Sequence, residues 1–285
     1  SLLNRPRLKK INLSYNKIGD TGAEELANIL TRATRLEEIN LQGCDIGKRG
    51  CGFLVLSLQN HRLLSKINLS YNKIGDTEEL ANIFTRAKRL EEINLQGCNL
   101  GINGCGVLVQ SLQNHTQLKK INLSDNTVGE NNAKMLAEVF GECEDLEEIN
   151  LWGCSIGKES CHKLTQSLRR HLSLRRINLG YNDVGNRGVT ALAEMLNQAQ
   201  SLEEINLQSC NISEEGCCEL AQSLHGHEYL REINLHHNNI GDGGAQSMAK
   251  ILTEHHCLEE ISVWGCNITE DGCEKLALSL QKHTN

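Results

Sequence analysis

Thirteen cysteines and eleven histidines are the residues of this 285-residue chain best equipped for chemistry, as nucleophiles, metal ligands or redox pairs. Ten of the cysteines occupy two slots: Cys44, Cys98, Cys154, Cys210 and Cys266, then Cys51, Cys105, Cys161, Cys217 and Cys273. A C-x6-C spacing could hold zinc, but here it returns unchanged along the chain, which reads as a buried ladder of small hydrophobes. Cys143, Cys218 and Cys257 are extras; the odd total and the lack of end clusters point to reduced thiols in a cytoplasmic protein. Histidine also keeps a slot, at His61, His115, His171, His227 and His283, suited to the carbonyls of a helix C-terminus. His236–His237 and His255–His256 fall outside that slot, on opposite sides of the strand-to-helix layer. No nucleophile–base–orienter set emerges, because the slots account for every Ser or Cys near a His. Neither enzymatic activity nor a cofactor or metal is expected.

The slots belong to a repeat. LEEINLQGC at 36–44 recurs at 90–98, and as LEEINLWGC, LEEINLQSC and LEEISVWGC at 146–154, 202–210 and 258–266. Between these Cys-ended units lie Asn-ended ones: LKKINLSYN at 8–16, then LSKINLSYN, LKKINLSDN, LRRINLGYN and LREINLHHN, closing at Asn72, Asn126, Asn182 and Asn238. The leading leucines are Leu8, Leu36, Leu64, Leu90, Leu118, Leu146, Leu174, Leu202, Leu230 and Leu258, 28 apart except for the 26 between Leu64 and Leu90. A fixed period of this length marks a solenoid in which each repeat touches its neighbours. The alternation in INL predicts a short strand with Ile and Leu inward. A Gly-containing loop such as IGDTGA or IGKRGC follows, supplying caps and turns. AEELANILTRA then predicts a helix with Ala23, Leu26, Ala27 and Leu30 on one face. Strands about 4.8 Å apart and helices about 8–10 Å apart must bend such a stack. The bend residue, Asn or Cys, must satisfy backbone groups of neighbouring turns. The 26-residue unit lacks two residues after Thr77, so its helix should start late while its strand keeps register.

Outward positions form columns. After each leading leucine stand Lys9–Lys10, Glu37–Glu38, Ser65–Lys66, Glu91–Glu92, Lys119–Lys120, Glu147–Glu148, Arg175–Arg176, Glu203–Glu204, Arg231–Glu232 and Glu259–Glu260. Alternating sign stabilises neighbouring strands, and it breaks at Glu232, between Glu204 and Glu260. The next column is Asn12, Asn40, Asn68, Asn94, Asn122, Asn150, Asn178, Asn206 and Asn234, then Ser262, expected to hydrogen-bond along the sheet. Three of these form N-x-S sequons within strands, where glycosylation is not expected. The last two columns vary. Of nine aromatic residues (two Trp, four Tyr, three Phe), Tyr15, Tyr71, Trp152, Tyr181 and Trp264 fall there. An aliphatic core does not need them, and exposed Trp and Tyr are typical binding anchors. Trp152, Tyr181, Gln208, His236, His237 and Trp264, with Glu232 nearby, are the candidate ligand-binding residues. The competing reading lays each Tyr over the glycine of the adjacent repeat and leaves a Trp as an idle surface residue.

A net charge of −7 disfavours a nucleic-acid groove. No apolar run approaches the roughly 18 residues that span a bilayer, so no membrane contact is expected. Residues 1–7 align with 57–63, and 279–285 occupy that same slot, so the chain reads as a slice of a longer array. Residues 8–62 and 64–116 are nearly identical, the mark of a duplication.

The two kinds of unit resemble the ribonuclease-inhibitor type of leucine-rich repeat. That type alternates L-x-x-L-x-L-S-x-N-x-L-G-D-x-G with L-E-x-L-x-L-x-x-C-x-L-x-x-x-x-C; residues 8–22 and 36–51 carry the two forms, with Ile commonly replacing Leu. The resemblance covers 8–285. It implies an α/β leucine-rich repeat solenoid, a horseshoe of ten repeats in one domain over 1–285, with a parallel sheet on the concave face and helices on the convex face. Similar repeats occur in cytosolic ribonuclease inhibitors, in the C-terminal sensor domains of NLR immune receptors and in the Ran GTPase-activating protein. The lack of visible capping units is most similar to the NLR case, where the repeats follow a nucleotide-binding NACHT module. No G-x-x-x-x-G-K-S/T motif is present, so such a module lies outside this chain. The resemblance thus implies a ligand-sensing domain whose partners are a protein or microbial ligand and the receptor's own nucleotide-binding module. The alternative is a free-standing inhibitor-like protein holding a basic enzyme. Activation of a GTPase is recommended by fold alone.

Overall fold

The computed structural model describes residues 7–76 and 78–281. Thr77 and His283 therefore lie outside the described residues. The chain divides into two compact units, Ser1–Cys143 and Glu144–Asn285. The first carries strands β1 (Lys10–Asn12), β2 (Glu38–Asn40), β3 (Lys66–Asn68), β4 (Glu92–Asn94) and β5 (Lys120–Asn122), each starting two residues after a leading leucine. They alternate with helices α1 (Gly19–Leu30), α2 (Lys48–Leu58), α3 (Leu80–Arg86), α4 (Ile102–Ser111) and α5 (Gly129–Gly141). The second unit repeats the plan with β6 (Glu148–Asn150), β7 (Arg176–Asn178), β8 (Glu204–Asn206), β9 (Glu232–Asn234) and β10 (Glu260–Ser262). Its helices are α6 (Lys158–Ser167), α7 (Gly185–Leu196), α8 (Glu214–Ser223), α9 (Gly241–Glu254) and α10 (Glu270–Leu280). Within each unit neighbouring strands are parallel and in strict register, Ile on Ile and Asn on Asn or Ser.

The core follows from the two periods. Ile39 and Leu41 are buried from the strand, and Ala23, Leu26, Ala27 and Leu30 from the helix. The Cys slots join them: nine of the ten cysteines there are buried, and Cys273 on α10 is exposed. At the bend, Asn72 Nδ2 donates to the carbonyls of Leu41 (2.8 Å) and Leu69 (2.7 Å). Its Oδ1 accepts from the amides of Cys44 (3.1 Å) and Ile46 (3.0 Å). A buried amide thus closes four backbone groups of two repeats, as its slot requires. Cysteine fills the slot more weakly: the Cys44, Cys98, Cys210 and Cys266 thiols each donate to a leucine carbonyl of the preceding repeat at 3.1–3.2 Å.

The caps differ from expectation. The loops do not cap their own helices, because the N-cap residues are apolar (Ile18, Val128, Val184, Ile240) or lack a capping hydrogen bond. Capping instead crosses from the Asn-ended repeat to the next. Asp20 Oδ1 accepts from the amides of Gly47 (2.7 Å) and Gly50 (3.0 Å) at the start of α2. Asp76 does the same for Gly101 and Gly104 on α4, Asn186 for Ser213 at α8, and Asp242 for Thr269 at α10. A Cβ on Gly50 would sit 2.5 Å from the Asp20 carboxylate, which is why this position is glycine. Asp20→Ala is expected to cost about 1 kcal/mol, the usual worth of an N-cap. A urea midpoint unchanged from the parent would contradict the assignment.

The shortened repeat behaves as its length predicts. β3 holds register on both sides, while α3 has 7 residues against 12 in α1. The histidine slot closes helix C-termini, as expected. His61 Nε2 lies 3.0 Å from the carbonyl of Leu30, the last residue of α1, and His227 Nε2 3.0 Å from that of Leu196, the last of α7.

Candidate functional site

The strand side of each unit presents the outward columns. In the first unit the carboxylates are paired with cations of adjacent strands: Lys9–Glu37 at 2.6 Å, Lys10–Glu38 at 2.7 Å, Lys66–Glu92 at 2.5 Å and Lys119–Glu91 at 3.0 Å. In the second, Arg176 bridges Glu148 (2.6 Å) and Glu204 (2.7 Å), while Arg175 pairs with Glu203. Each such exposed pair is worth about 0.2–1 kcal/mol. The alternation then fails. Glu232 lies in register between Glu204 and Glu260 and has no ion-pair partner among the described residues. Its carboxyl is held above the ordinary carboxylate range, first by partial loss of water and then by the charges of Glu204, Glu260 and Glu259.

The asparagine column is corrected. Among the described residues, no hydrogen bond joins one of these asparagines to the next. Each Oδ1 instead accepts from the amide two residues on, at 3.0–3.1 Å, as Asn206 does from Gln208 and Asn234 from His236. This local turn takes the Oδ1 acceptor that a ladder would have used, and it stiffens the exit of the strand just where the variable columns begin. Asn122 Nδ2 still donates along the sheet, to Gln96 Oε1 at 3.3 Å.

Beyond the strands, backbone bonds keep those columns in register: the amide of Tyr181 donates to Gln208 (2.8 Å), Ser209 to His236 (2.8 Å) and His237 to Trp264 (2.9 Å). The second of the two columns has left-handed backbone throughout, with φ of 58° at Tyr15, 56° at Tyr71, 55° at Tyr181, 52° at Ser209 and 56° at His237, and glycine in four other repeats. Tyrosine is strained in this region, and strain of this kind gathers at functional positions. The regular return of glycine in the column was the available sequence signal. The tyrosine-over-glycine reading holds for Tyr15 on Gly43 and Tyr71 on Gly97, and the same contact is made by Trp152 on Gly180 and His237 on Gly265.

The candidate residues form two clusters and one separate group. Trp152, half-buried, packs edge-on against Tyr181 with ring centroids 4.7 Å apart, and Gln208 Nε2 donates to the Tyr181 hydroxyl at 3.2 Å. Trp264 is 68% exposed and meets His237 at 4.4 Å and His236 at 6.0 Å. Glu232 stands at the other end of the same strand-side face. Buried thiols offer no competing chemistry: burial pushes Cys98, Cys210 and Cys217 up to about 12, so they stay protonated and unreactive. Among the described residues no helix is long and apolar enough to cross a membrane.

Comparison with known families agrees with this geometry. A profile described as "Leucine Rich repeat" matches residues 6–27, 33–55, 60–77, 170–193, 198–221 and 226–249. The chain is a leucine-rich repeat protein. The matched segments of this leucine-rich repeat protein contain Tyr181, Gln208, Glu232, His236 and His237, while both tryptophans fall outside them. Comparison with curated proteins gives no match. Among solved structures it is similar to an internalin from Listeria monocytogenes, with 17% identity, a TM-score of 0.50 and coverage of 98% of this chain and 85% of the internalin. It is also similar to a TDR receptor, with 15% identity, a TM-score of 0.52 and coverage of 92% of this chain and 48% of the receptor. At these identities the likeness is one of fold. A tropomodulin C-terminal domain from Caenorhabditis elegans matches at 15% identity and a TM-score of 0.45, covering 53% of this chain and 92% of its own.

Proposed function

We propose that this leucine-rich repeat protein is the ligand-sensing region of a cytoplasmic receptor of the NLR type. It acts by binding rather than by catalysis, and a protein or microbial ligand docks on the strand side of the Glu144–Asn285 unit. One observation carries the reading: the irregular columns hold two aromatic clusters, Trp152–Tyr181 and Trp264–His237, beside a strand column whose outward charges are paired except at Glu232 and Glu260. Large, nearly rigid aromatic rings are the side chains that most often dominate binding energy. The receptor's own nucleotide-binding module is the second partner. A free-standing inhibitor-like protein holding a basic enzyme is the other reading, favoured by the row Glu204, Glu232 and Glu260; affinity falling steeply with salt would mark it.

The double variant Trp152→Ala/Trp264→Ala should lose a protein partner captured by the parent chain, with affinity down by at least about tenfold and the fold intact by circular dichroism. Undiminished capture would remove the aromatic clusters from the binding face. Sequencing the full-length transcript tests the receptor assignment, which requires an upstream nucleotide-binding module.

A further inference from the structure

We infer that the face built by β8, β9 and β10 takes a protein segment that places an arginine or lysine over Glu232 and an apolar side chain about four residues away on Trp264. This rests on the docking-face reading above and adds the chemistry of the partner.

The argument begins from the single break in an otherwise compensated column. Every other Asn-ended strand puts a cation at this position: Lys10, Lys66, Lys120 and Arg176. Within their own unit these cations face glutamates of the neighbouring strands, and Lys10, Lys66 and Arg176 bond one or two of them. β9 alone carries a glutamate there, so three carboxylates stand side by side at the strand spacing of about 4.8 Å. Arg176 already serves Glu204 from β7, and Arg231 reaches Glu259 at 3.7 Å from the position before. Glu260 accepts from Ser262 Oγ at 2.8 Å and has no cation among the described residues. Like charges directly opposite destabilise a sheet, and the cation of β7 pairs with Glu204 alone of the three, leaving Glu232 and Glu260 without an ion-pair partner among the described residues. An external cation answers them, and it would occupy the place that a lysine or arginine fills in the other repeats.

The same face supplies the second contact. Side chains at alternate positions of a strand point the same way, so Glu232 and Asn234 share one side of β9 with Glu260 and Ser262 of β10, and His236 and Trp264 follow in the turns that leave those strands. Trp264 follows Glu260 by four residues, two of them beyond the end of β10, a separation of at most about 13 Å at the rise of a strand. An extended segment lying along the strands spans that distance with four residues of its own. Trp264 is exposed and backed by His236 and His237, so its indole is held in place before the partner arrives.

The probes are capped pentapeptides, Arg-Ser-Ser-Ser-Leu and its Glu-Ser-Ser-Ser-Leu counterpart, titrated into the full chain at low salt and followed by the indole NMR signals of the two tryptophans. The basic peptide should shift the Trp264 signal and bind at least about fivefold tighter than the acidic one. Glu232→Gln should remove that preference. Glu92→Gln, which makes the same change in net charge at a carboxylate paired with Lys66, should retain it. Equal loss in both variants would mean general attraction to an acidic protein and would overturn the proposal, as would equal binding of the two peptides. Glu232→Lys restores the alternation, so it should abolish basic-peptide binding while raising the melting temperature, which separates lost binding from lost folding. If Trp152→Ala/Trp264→Ala still loses its captured protein while the peptides show no preference, the docking face stands and the cationic seat alone falls.

Discussion

Asn238→Ala is expected to destabilise the protein by about 3 kcal/mol or more, because it strands several buried backbone groups at once. Asn238 is 3% exposed. Its Nδ2 donates to the carbonyls of Leu207 and Leu235, both at 2.8 Å, and its Oδ1 accepts from the amides of Cys210 (3.1 Å) and Ile212 (3.0 Å). Alanine leaves those groups buried and unpaired. The comparison that isolates the cause is Asn16, the same residue type in the same slot of the first repeat. It is exposed, and among the described residues it donates only to carbonyls of its own repeat, Leu13 and Ser14, so Asn16→Ala should cost about 1 kcal/mol or less. Urea unfolding of the full chain measures the difference, and hydrogen exchange at the Cys210 and Ile212 amides localises it. Equal costs at the two positions would refute burial as the cause. The effect should also reach the candidate site, since Asn238 follows His236 and His237 directly.

Mild acid is expected to weaken the fold through two buried imidazoles. Burial holds both His115 and His227 below the ordinary histidine value, aided by the Lys88 charge near His115 and by His255 near His227. His227 bonds the Leu196 carbonyl through Nε2, and its Nδ1 is buried without a partner; His115 bonds Leu112 through Nδ1 and leaves Nε2 buried. A second proton would therefore enter the interior at a nitrogen that has no hydrogen-bond partner in the folded structure. A lowered native value means that the unfolded chain binds more protons. Stability is then complete above the unfolded histidine value, near 6.5, and is lost as the pH falls toward the native values. The slope is at most about 1.4 kcal/mol per pH unit for each histidine. Urea midpoints between about pH 7.5 and 5.5 should fall in the parent and flatten in His115→Gln/His227→Gln. A parent curve that stays level across that range would contradict neutral burial. Glu232 works in the opposite direction, because a raised carboxyl gains protons on folding, so the variants must be compared with Glu232 in place.

The repeat length, the strand positions and the sign alternation were all legible, since each recurs at the period of the chain and needs no knowledge of three-dimensional reach. The role of the bend residue was legible for a related reason: only an amide offers two donors and an acceptor at one point, and Asn72 uses all of them. The capping by Asp20 was hidden because its partners lie 27 and 30 residues ahead, where a local cap pattern has nothing to detect. The asparagine column was misassigned for another reason. A ladder and a local turn compete for the same Oδ1 acceptor, and a repeating letter does not choose between them. The two aromatic clusters follow from the columns in which Trp152, Tyr181 and Trp264 occur, but their grouping does not. Which ring meets which depends on the left-handed backbone at Tyr181 and His237, which only the glycines of the same column in other repeats signal.

Asp20 and His61 together have a consequence for how such a protein lengthens. The Asn-ended repeat closes the front of the helix that follows it, and the Cys-ended repeat closes the back of the helix before it; Asn186 and His227 repeat this exchange further along. Two consecutive repeats are thus mutually completed, whereas one alone has an open helix terminus. Genetic gain or loss of a single repeat would create such a terminus, while gain or loss of a couple would not. The near-copy of 8–62 at 64–116 is a couple of this kind. Family members differing in length should differ by even numbers of repeats.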